Sequence, residues 1–205
     1  MATLGQYFIF PLVWILSKLF LGDVVFKGEE HLDSMAHKPV IIIANHISSY
    51  DSFLLRLSRY WKHLHVYFMG VTKFESKKLQ FLSDIGIIPL VYKLFGVFTV
   101  IPGLGLEKNL KIPKILLAKN NGVFIFPEGY INRSEELLPF KKGAAVLAIA
   151  TGAQILPIGF RDMRRKGKTK VIITIGEPVS FPKGTNVGEA TEKLQDIIFQ
   201  ILALR

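Results

Sequence analysis

Short, continuous apolar runs separated by amphipathic stretches are the main pattern of this chain. Residues 40–44 read VIIIA and residues 123–126 read VFIF, and turn-forming residues bound both runs. Runs of this length without polar positions are typical of central strands that are covered on both faces. Further strand-like runs occur at residues 24–27, 65–70, 96–101, 155–160 and 171–175. The pattern therefore predicts a sheet of seven strands.

Helical patterns occur between several of these strands and at the end of the chain. Small residues at 144–150 predict a helix that ends at Gly152, and residues 189–204 have the spacing of a closing amphipathic helix. Strands and helices in this order predict an α/β fold with a mostly parallel or mixed central sheet flanked by helices. We expect a single domain over residues 23–205.

The first 22 residues differ from the rest of the chain. Residues 4–21 are apolar on almost every face, with Tyr7 and Trp14 as amphipathic rings. The stretch falls short of the ~20 uninterrupted apolar residues that a spanning helix needs. We expect a hydrophobic membrane anchor over residues 1–22 that is re-entrant or lies in the bilayer interface. A helix that covers the sheet is the alternative.

A histidine and an aspartate follow the first of the two apolar runs. Residues 45–51 read NHISSYD and place His46 directly after the predicted strand, with Asp51 five residues later. In open α/β sheets ligands bind at the carboxyl ends of the strands. If the intervening residues form a turn, Asp51 can hold one imidazole nitrogen and leave the other to accept a proton. The alternative is a loop histidine beside an ordinary first-turn acid.

The second apolar run also ends at a carboxylate. Glu128 stands between Pro127 and Gly129, so we expect it to be presented on a sharp turn at the same edge of the sheet. Two interpretations are open: Glu128 belongs to a binding or catalytic site, or it pins the turn through backbone N–H groups.

The two segments, NHISSYD and FPEG, resemble the first and third signature blocks of the glycerolipid acyltransferase family, which includes lysophosphatidic acid acyltransferases. Residues 155–159 are similar to the fourth block. The resemblance covers residues 25 to 180 and implies acyl transfer from a thioester, acyl-CoA or acyl-ACP, to a lipid hydroxyl, most simply that of 1-acyl-sn-glycerol-3-phosphate. It also implies that Glu128 and Gly129 bind the acceptor. No cofactor beyond the acyl thioester and no metal is expected.

The chemistry of this reaction can be argued from the residues themselves. A hydroxyl is a poor nucleophile, so a base must take its proton, and His46 oriented by Asp51 would do so. The chain has no cysteine, which leaves direct transfer to the acceptor as the simpler route. Backbone N–H groups near the two turns are candidates to stabilise the oxyanion.

The acceptor-binding positions depart from the family pattern. Pro102 stands where the second signature block has an arginine, and proline offers neither a charge nor an N–H to a phosphate. Lys73 matches a lysine of the family, and Arg133 aligns with the third block's arginine only after a gap. These two residues are the predicted phosphate ligands. Two alternatives remain, an acceptor without a phosphomonoester and a lipid-binding or scaffold protein without turnover.

Composition adds the expected surroundings. The chain is 50% hydrophobic with a net charge of +10, and its mean hydropathy is +0.35. Both properties suit an anionic membrane surface, so we expect a peripheral or monotopic membrane protein on the cytoplasmic face. No nucleic-acid-binding motif accompanies the basic charge, and no nucleic-acid partner is expected. The basic run at residues 161–170 is interpreted as a solvated hairpin loop, with a site for lipid headgroups or coenzyme A phosphates as the alternative.

Overall fold

A computed structural model gives the structure of the 205-residue chain, and it describes residues 23–48, 51–55, 64–71, 76–134, 136–165 and 168–204. The anchor predicted at residues 1–22 lies outside these ranges. Within them, no helix combines the length and the apolar character that crossing a bilayer would require.

Seven strands of the described residues form one sheet, as the apolar runs predict. They are β1 (Asp23–Lys27), β2 (Val40–Ala44), β3 (Val66–Val71), β4 (Val97–Val100), β5 (Gly122–Ile125), β6 (Gln154–Arg165) and β7 (Lys168–Ile175). Their order across the sheet is β1-β7-β6-β2-β5-β3-β4. All neighbouring pairs are parallel except β6 and β7, so the sheet is mixed.

Eight helices of the described residues accompany the sheet. They are α1 (Glu29–Ser34), α2 (Asp51–Leu54), α3 (Lys77–Asp84), α4 (Ile87–Phe95), α5 (Leu106–Asn109), α6 (Lys111–Ala118), α7 (Gly143–Thr151) and α8 (Val187–Ala203). Gly152 ends α7 in the left-handed conformation, as its position predicts. The side chain of Asn186 caps α8 by accepting from the N–H groups of Gly188 and Glu189.

The core lies on both faces of the central strands. Every residue of β2 is buried, because alternate side chains pack into two separate apolar clusters. Ile41 and Ile43 face a cluster that includes residues of α6, α7 and α8, whereas Val40 and Ile42 face a cluster that includes Leu32 of α1. An apolar run without polar positions is thus what a strand covered on both faces requires.

The basic run at residues 161–170 is not the loop that we expected. β6 continues to Arg165 and β7 begins at Lys168, and residues 161–165 pair with residues 168–172. In an antiparallel hairpin each strand satisfies the backbone hydrogen bonds of the other, so strands can continue beyond the apolar core. The charged composition of the run concealed this continuation.

Strand direction determines where functional side chains can meet. β2, β3, β4, β5 and β6 all run in the same direction, so their carboxyl ends lie along one side of the sheet, which we call the carboxyl edge. β2 and β5 are hydrogen-bonded neighbours near the centre. The two segments that the sequence singles out therefore leave the sheet side by side.

Candidate active site

His46 and Asp51 form a hydrogen-bonded pair at the carboxyl edge. His46 follows β2, and Asp51 is the first residue of α2. Nδ1 of His46 lies 3.1 Å from Oδ2 of Asp51. Residue 48 forms the bend between them, with the Asp51 N–H donating to the Ser48 carbonyl at 3.4 Å. The sequence requires such a turn if the two side chains are to meet, and the structure contains it.

Asp51 is held by more donors than the histidine alone. Its carboxylate is fully buried, and its Oδ2 also accepts from the N–H groups of Ile47 and Ser48, each at 2.8 Å. The Ser48 hydroxyl donates to the other carboxylate oxygen. An acceptor surrounded by donors favours the N–H tautomer at Nδ1 of His46, which makes Nε2 the nitrogen that can accept a proton.

An aromatic ring fixes the plane of the imidazole. Phe126, which follows β5, stacks on His46 with ring centroids 3.7 Å apart and an interplanar angle of 13°. Phe124 in turn meets Phe126 edge to face at 4.8 Å. Hydrogen bonding to Asp51 sets the direction of Nδ1, and the stack restricts rotation of the ring. The sequence shows only that a phenylalanine precedes Pro127, so this contact was not predicted.

Glu128 joins the two strand ends. Its side chain is 2% exposed, and Oε1 accepts the backbone N–H of His46 at 2.8 Å. Oε2 accepts from the Asn132 side-chain amide at 2.8 Å and from the Leu138 N–H at 3.0 Å. A carboxylate with both oxygens engaged matches the second of the two sequence interpretations, in which Glu128 pins the turn. Direct contact of Glu128 with an acceptor stays a prediction.

Asn132 completes this connection and was not singled out by the sequence. Its backbone N–H donates to the His46 carbonyl at 2.6 Å, and its side-chain amide reaches both Glu128 and the Glu136 carbonyl. Its side-chain oxygen accepts the Ser134 N–H at 2.9 Å. Asn132 belongs to residues 130–132, which separate Gly129 from Arg133 and form the gap relative to the family pattern. Its buried side chain thus supplies the tie between the two turns.

Gly129 has the backbone that the turn requires. Its φ is +77°, and a Cβ at this position would lie 2.3 Å from Nζ of Lys141. The lysine side chain therefore crosses directly over the glycine, and its ammonium lies 4.4 Å from the centroid of the Tyr130 ring. A positive charge is thereby placed beside the Glu128 turn.

The hydrogen bonds restrict which backbone groups can stabilise an oxyanion. The N–H groups of His46, Ile47 and Ser48 donate to the carboxylates of Glu128 and Asp51. The Gly129 N–H donates to the Phe126 carbonyl at 3.0 Å. These four N–H groups already donate within the site and are therefore removed from the candidate oxyanion donors.

The structure says less about the positions of the predicted phosphate ligands than about His46 and Asp51. Arg133 is exposed and follows the Glu128 turn by a few residues. Lys73 lies outside the described residues. Pro102 occupies an exposed turn after β4, where Asn109 bonds both the N–H and the carbonyl of Ile101 at 2.9 Å.

Comparisons with known proteins show the family of this chain. A family model described as Acyltransferase matches residues 23–161. The chain is similar to 1-acyl-sn-glycerol-3-phosphate acyltransferase of Saccharomyces cerevisiae, with 29% identity over 94% of this chain and 64% of the yeast protein. It is also similar to 1-acyl-sn-glycerol-3-phosphate acyltransferase beta of Homo sapiens, with 26% identity over 67% of this chain and 49% of the human protein. The chain thus spans less than two thirds of the length of these relatives.

A solved structure matches the whole fold. The 1-acyl-sn-glycerophosphate acyltransferase PlsC from Thermotoga maritima superposes with a TM-score of 0.67, covering 98% of this chain and 82% of that one, at 22% sequence identity. The likeness confirms the α/β architecture with a mixed central sheet.

Proposed function

Because the chain belongs to the acyltransferase family, we propose that it transfers a fatty acyl chain from a thioester to the hydroxyl of a lysophospholipid in phospholipid synthesis. The acceptor that we propose is 1-acyl-sn-glycerol-3-phosphate, the substrate class in the names of the yeast and human relatives. The observation that carries the proposal is the 3.1 Å contact between Nδ1 of His46 and Oδ2 of the buried Asp51.

His46 acts as the general base in the proposed mechanism. Its Nε2 takes the proton of the acceptor hydroxyl as the oxygen attacks the thioester carbonyl, a role that contributes typically 10²–10⁴-fold to the rate. Asp51 stabilises the imidazolium that forms. When the tetrahedral intermediate collapses, the carbon–sulfur bond breaks and the thiolate receives the proton. The products are the diacylated lipid and the thiol of coenzyme A or acyl carrier protein.

In the proposed mechanism Glu128 fixes the position of the loop that carries His46. Its carboxylate holds the His46 N–H from one side while Asn132 and Leu138 hold the carboxylate from the other. The catalytic loop is thereby fixed to the turn after β5, where Gly129 and the acceptor are proposed to meet. Preorganisation of this kind keeps the base in place without a substrate to order it.

The acceptor phosphate requires cations near this turn. Arg133 and Lys73 are the residues that we propose for it, and the Lys141 ammonium adds a positive charge beside Gly129. Pro102 favours the competing candidate, a zwitterionic or uncharged acceptor, because it replaces the arginine that the family places after this strand. The same residue motivates the second candidate function, a lipid-binding or scaffold protein without turnover.

The proposed setting is an anionic membrane surface on the cytoplasmic side. The net charge of +10 and the 50% hydrophobic composition support it. A lipid acceptor with one acyl chain also resides in the bilayer, so the enzyme must work at its surface.

The test is an acyl-transfer assay with the purified chain of residues 1–205. Labelled palmitoyl-CoA and palmitoyl acyl carrier protein are each incubated with lysophosphatidate, lysophosphatidylcholine and monoacylglycerol. We expect label in phosphatidate, dependent on His46. Transfer only to lysophosphatidylcholine or monoacylglycerol would replace the acceptor that we propose. Binding of lysolipid without any transfer would favour the scaffold function.

A further inference from the structure

The helices on either side of edge strand β4 have an unusual surface. The described residues contain sixteen exposed large hydrophobic side chains, and twelve of them lie between residues 79 and 115. Monomeric proteins rarely expose apolar side chains in such concentration without a use for them. The segment from residue 76 to 119 surrounds β4, with α3 and α4 before the strand and α5 and α6 after it.

Helix α4 shows that this exposure is patterned. Its side chains Ile87, Leu90, Val91 and Leu94 are 40% to 58% exposed, and their spacing places them on one helical face. We call this face the α4 stripe. The opposite side of the helix faces the sheet, where the Tyr92 hydroxyl donates to the Val71 carbonyl at 3.2 Å. The helix is thus amphipathic, and an apolar stripe is turned away from the protein.

A second apolar group lies along the same carboxyl edge of the sheet as the candidate active site. Ile101, Leu104 and Leu106 follow β4 and are 40% to 47% exposed, and we call them the β4 rim. They lie at the carboxyl edge, on the same side of the sheet as His46. Leu106 also approaches the start of α7, since a Cβ at Gly143 would lie 3.8 Å from its side chain.

The charges of residues 76–119 indicate which kind of apolar partner would bind this surface. Residues 76–119 contain seven lysines, and their only acidic residues are Asp84 and Glu107. Lys77, Lys78 and Lys93 on α3 and α4 are all exposed. Apolar side chains flanked by lysines are the composition of protein surfaces that lie in the headgroup region of anionic membranes, where each basic residue adds attraction. A second copy of the chain would meet this face with the same positive charge.

We propose that the α4 stripe and the β4 rim form the face with which this protein docks on an anionic lipid bilayer. The inference rests on the proposed function in one respect, namely that a lipid acceptor reaches the carboxyl edge from the bilayer. Docking through this face sets that edge against the headgroup layer. The acceptor would then reach His46 while its acyl chain remains among lipids.

The first experiment measures cosedimentation of the full chain with vesicles, so its outcome is independent of acyl transfer. Replacing both Leu90→Glu and Leu94→Glu should weaken partitioning into mixed phosphatidylglycerol and phosphatidylcholine vesicles by roughly thirtyfold, since the exposed half of each leucine contributes about a fivefold factor. The control is Phe199→Glu, which changes a side chain on α8 that is 65% exposed. It should bind vesicles as the unchanged chain does.

The charge is tested separately. Replacing both Lys78→Gln and Lys93→Gln should lower binding to phosphatidylglycerol vesicles by roughly tenfold or more at low salt and have little effect on pure phosphatidylcholine. The matched control is the pair Lys183→Gln and Lys193→Gln. Both lysines are exposed; Lys183 precedes α8, and Lys193 lies within it. Equal losses for the two pairs would show only a general charge effect and would overturn the assignment of this face.

A label reports the position of the face directly. Because the chain has no cysteine, Leu90→Cys offers a single site for an environment-sensitive fluorophore, and Phe199→Cys is its control. We expect a blue shift on addition of vesicles at position 90 alone. The proposal is wrong if the stripe variant binds vesicles normally, if its fold loses stability because the face packs within the chain, or if the unchanged chain forms a dimer that the variant disrupts.

Discussion

The central strands β2 and β5 and the edge strand β4 differ in the kind of side chain that is buried or exposed around them. Around β2 and β5 every strand residue is buried, and the carboxylates of Asp51 and Glu128 are buried with their oxygens bonded. Around β4 large apolar side chains face outward. Burial of a charge requires a complete set of donors, so the centre is suited to hold a base in one geometry. The exposed apolar surface around β4 is stabilised only by contact with another apolar medium. This part of the protein is therefore suited to contact with lipid.

The largest effect on acyl transfer is expected from His46, the proposed base beside the central strands. His46→Ala should lower acyl transfer by at least ~10²–10⁴-fold, because nothing else in the pair can take the hydroxyl proton. Asp51→Asn should retain more activity, since an amide oxygen can still accept one of the N–H groups but no longer stabilises an imidazolium. Initial rates at saturating thioester measure both. His65→Ala, at an exposed position before β3, is the control. Full turnover by His46→Ala would refute the mechanism.

The next largest effect is expected on acceptor binding, at the proposed phosphate ligands Arg133 and Lys73. Removing the charge in Arg133→Ala or Lys73→Ala should weaken use of lysophosphatidate by roughly ten- to a hundredfold through the acceptor KM, because a hydrogen bond to a charged group contributes about 1.5–3 kcal/mol. The KM of the acyl donor should stay constant. Lys183→Ala controls for net charge. If both variants use lysophosphatidate and lysophosphatidylcholine at the rates of the unchanged protein, the phosphate assignment fails.

Glu128→Gln separates support from substrate contact. The amide would turn a donor toward the N–H groups of His46 or of Asn132 and Leu138, so unfolding should require about 1–3 kcal/mol less free energy. Urea unfolding followed by circular dichroism measures this, with Glu192→Gln on the exposed surface of α8 as control. A stable variant whose only change is a higher acceptor KM would instead place Glu128 in contact with the acceptor.

The smallest effect is expected on stability, from Tyr92 in α4, the helix that precedes edge strand β4. Tyr92→Phe removes the hydroxyl that donates to the Val71 carbonyl, and about 1 kcal/mol of stability should be lost at neutral pH. Burial raises the pKa of Tyr92 above its ordinary value of 10.0. Above that pH the unfolded chain releases the proton first, so this group contributes a loss of stability as the pH rises. Urea unfolding below and above pH 10.0 should show a shallower loss in Tyr92→Phe; an equal slope would contradict the assignment.

The sequence predicted the strands well because burial on both faces leaves an unbroken apolar run. Residues 40–44 coincide with β2, and the runs predicted for β1, β3, β4 and β5 agree with the observed strands to about one residue at each end. The hairpin of β6 and β7 was underestimated, because its outer part is stabilised by backbone pairing that leaves no apolar pattern.

Part of the site could also be predicted from the sequence. His46 and Asp51 are close in sequence, so their spacing could be interpreted as a turn. Glu128 and the His46 N–H are 82 residues apart, and the stack of Phe126 on His46 likewise requires that β2 and β5 be neighbours. Contacts of this kind depend on the order of strands, which no local pattern contains. A polar residue four positions after Glu128 was the only sequence signal for Asn132.

The tie between Glu128 and His46 also has a consequence for the order in which activity arises during synthesis. The segment with His46 and Asp51 is made early, but the groups that hold it in place come from residues 128, 132 and 138. Such distant pairing forms only after the intervening chain has closed into the sheet. A nascent chain that has not emerged as far as Leu138 therefore carries His46 without the groups that hold it in place. On the proposed function, it becomes able to transfer an acyl chain only once the second half of the sheet has joined the first.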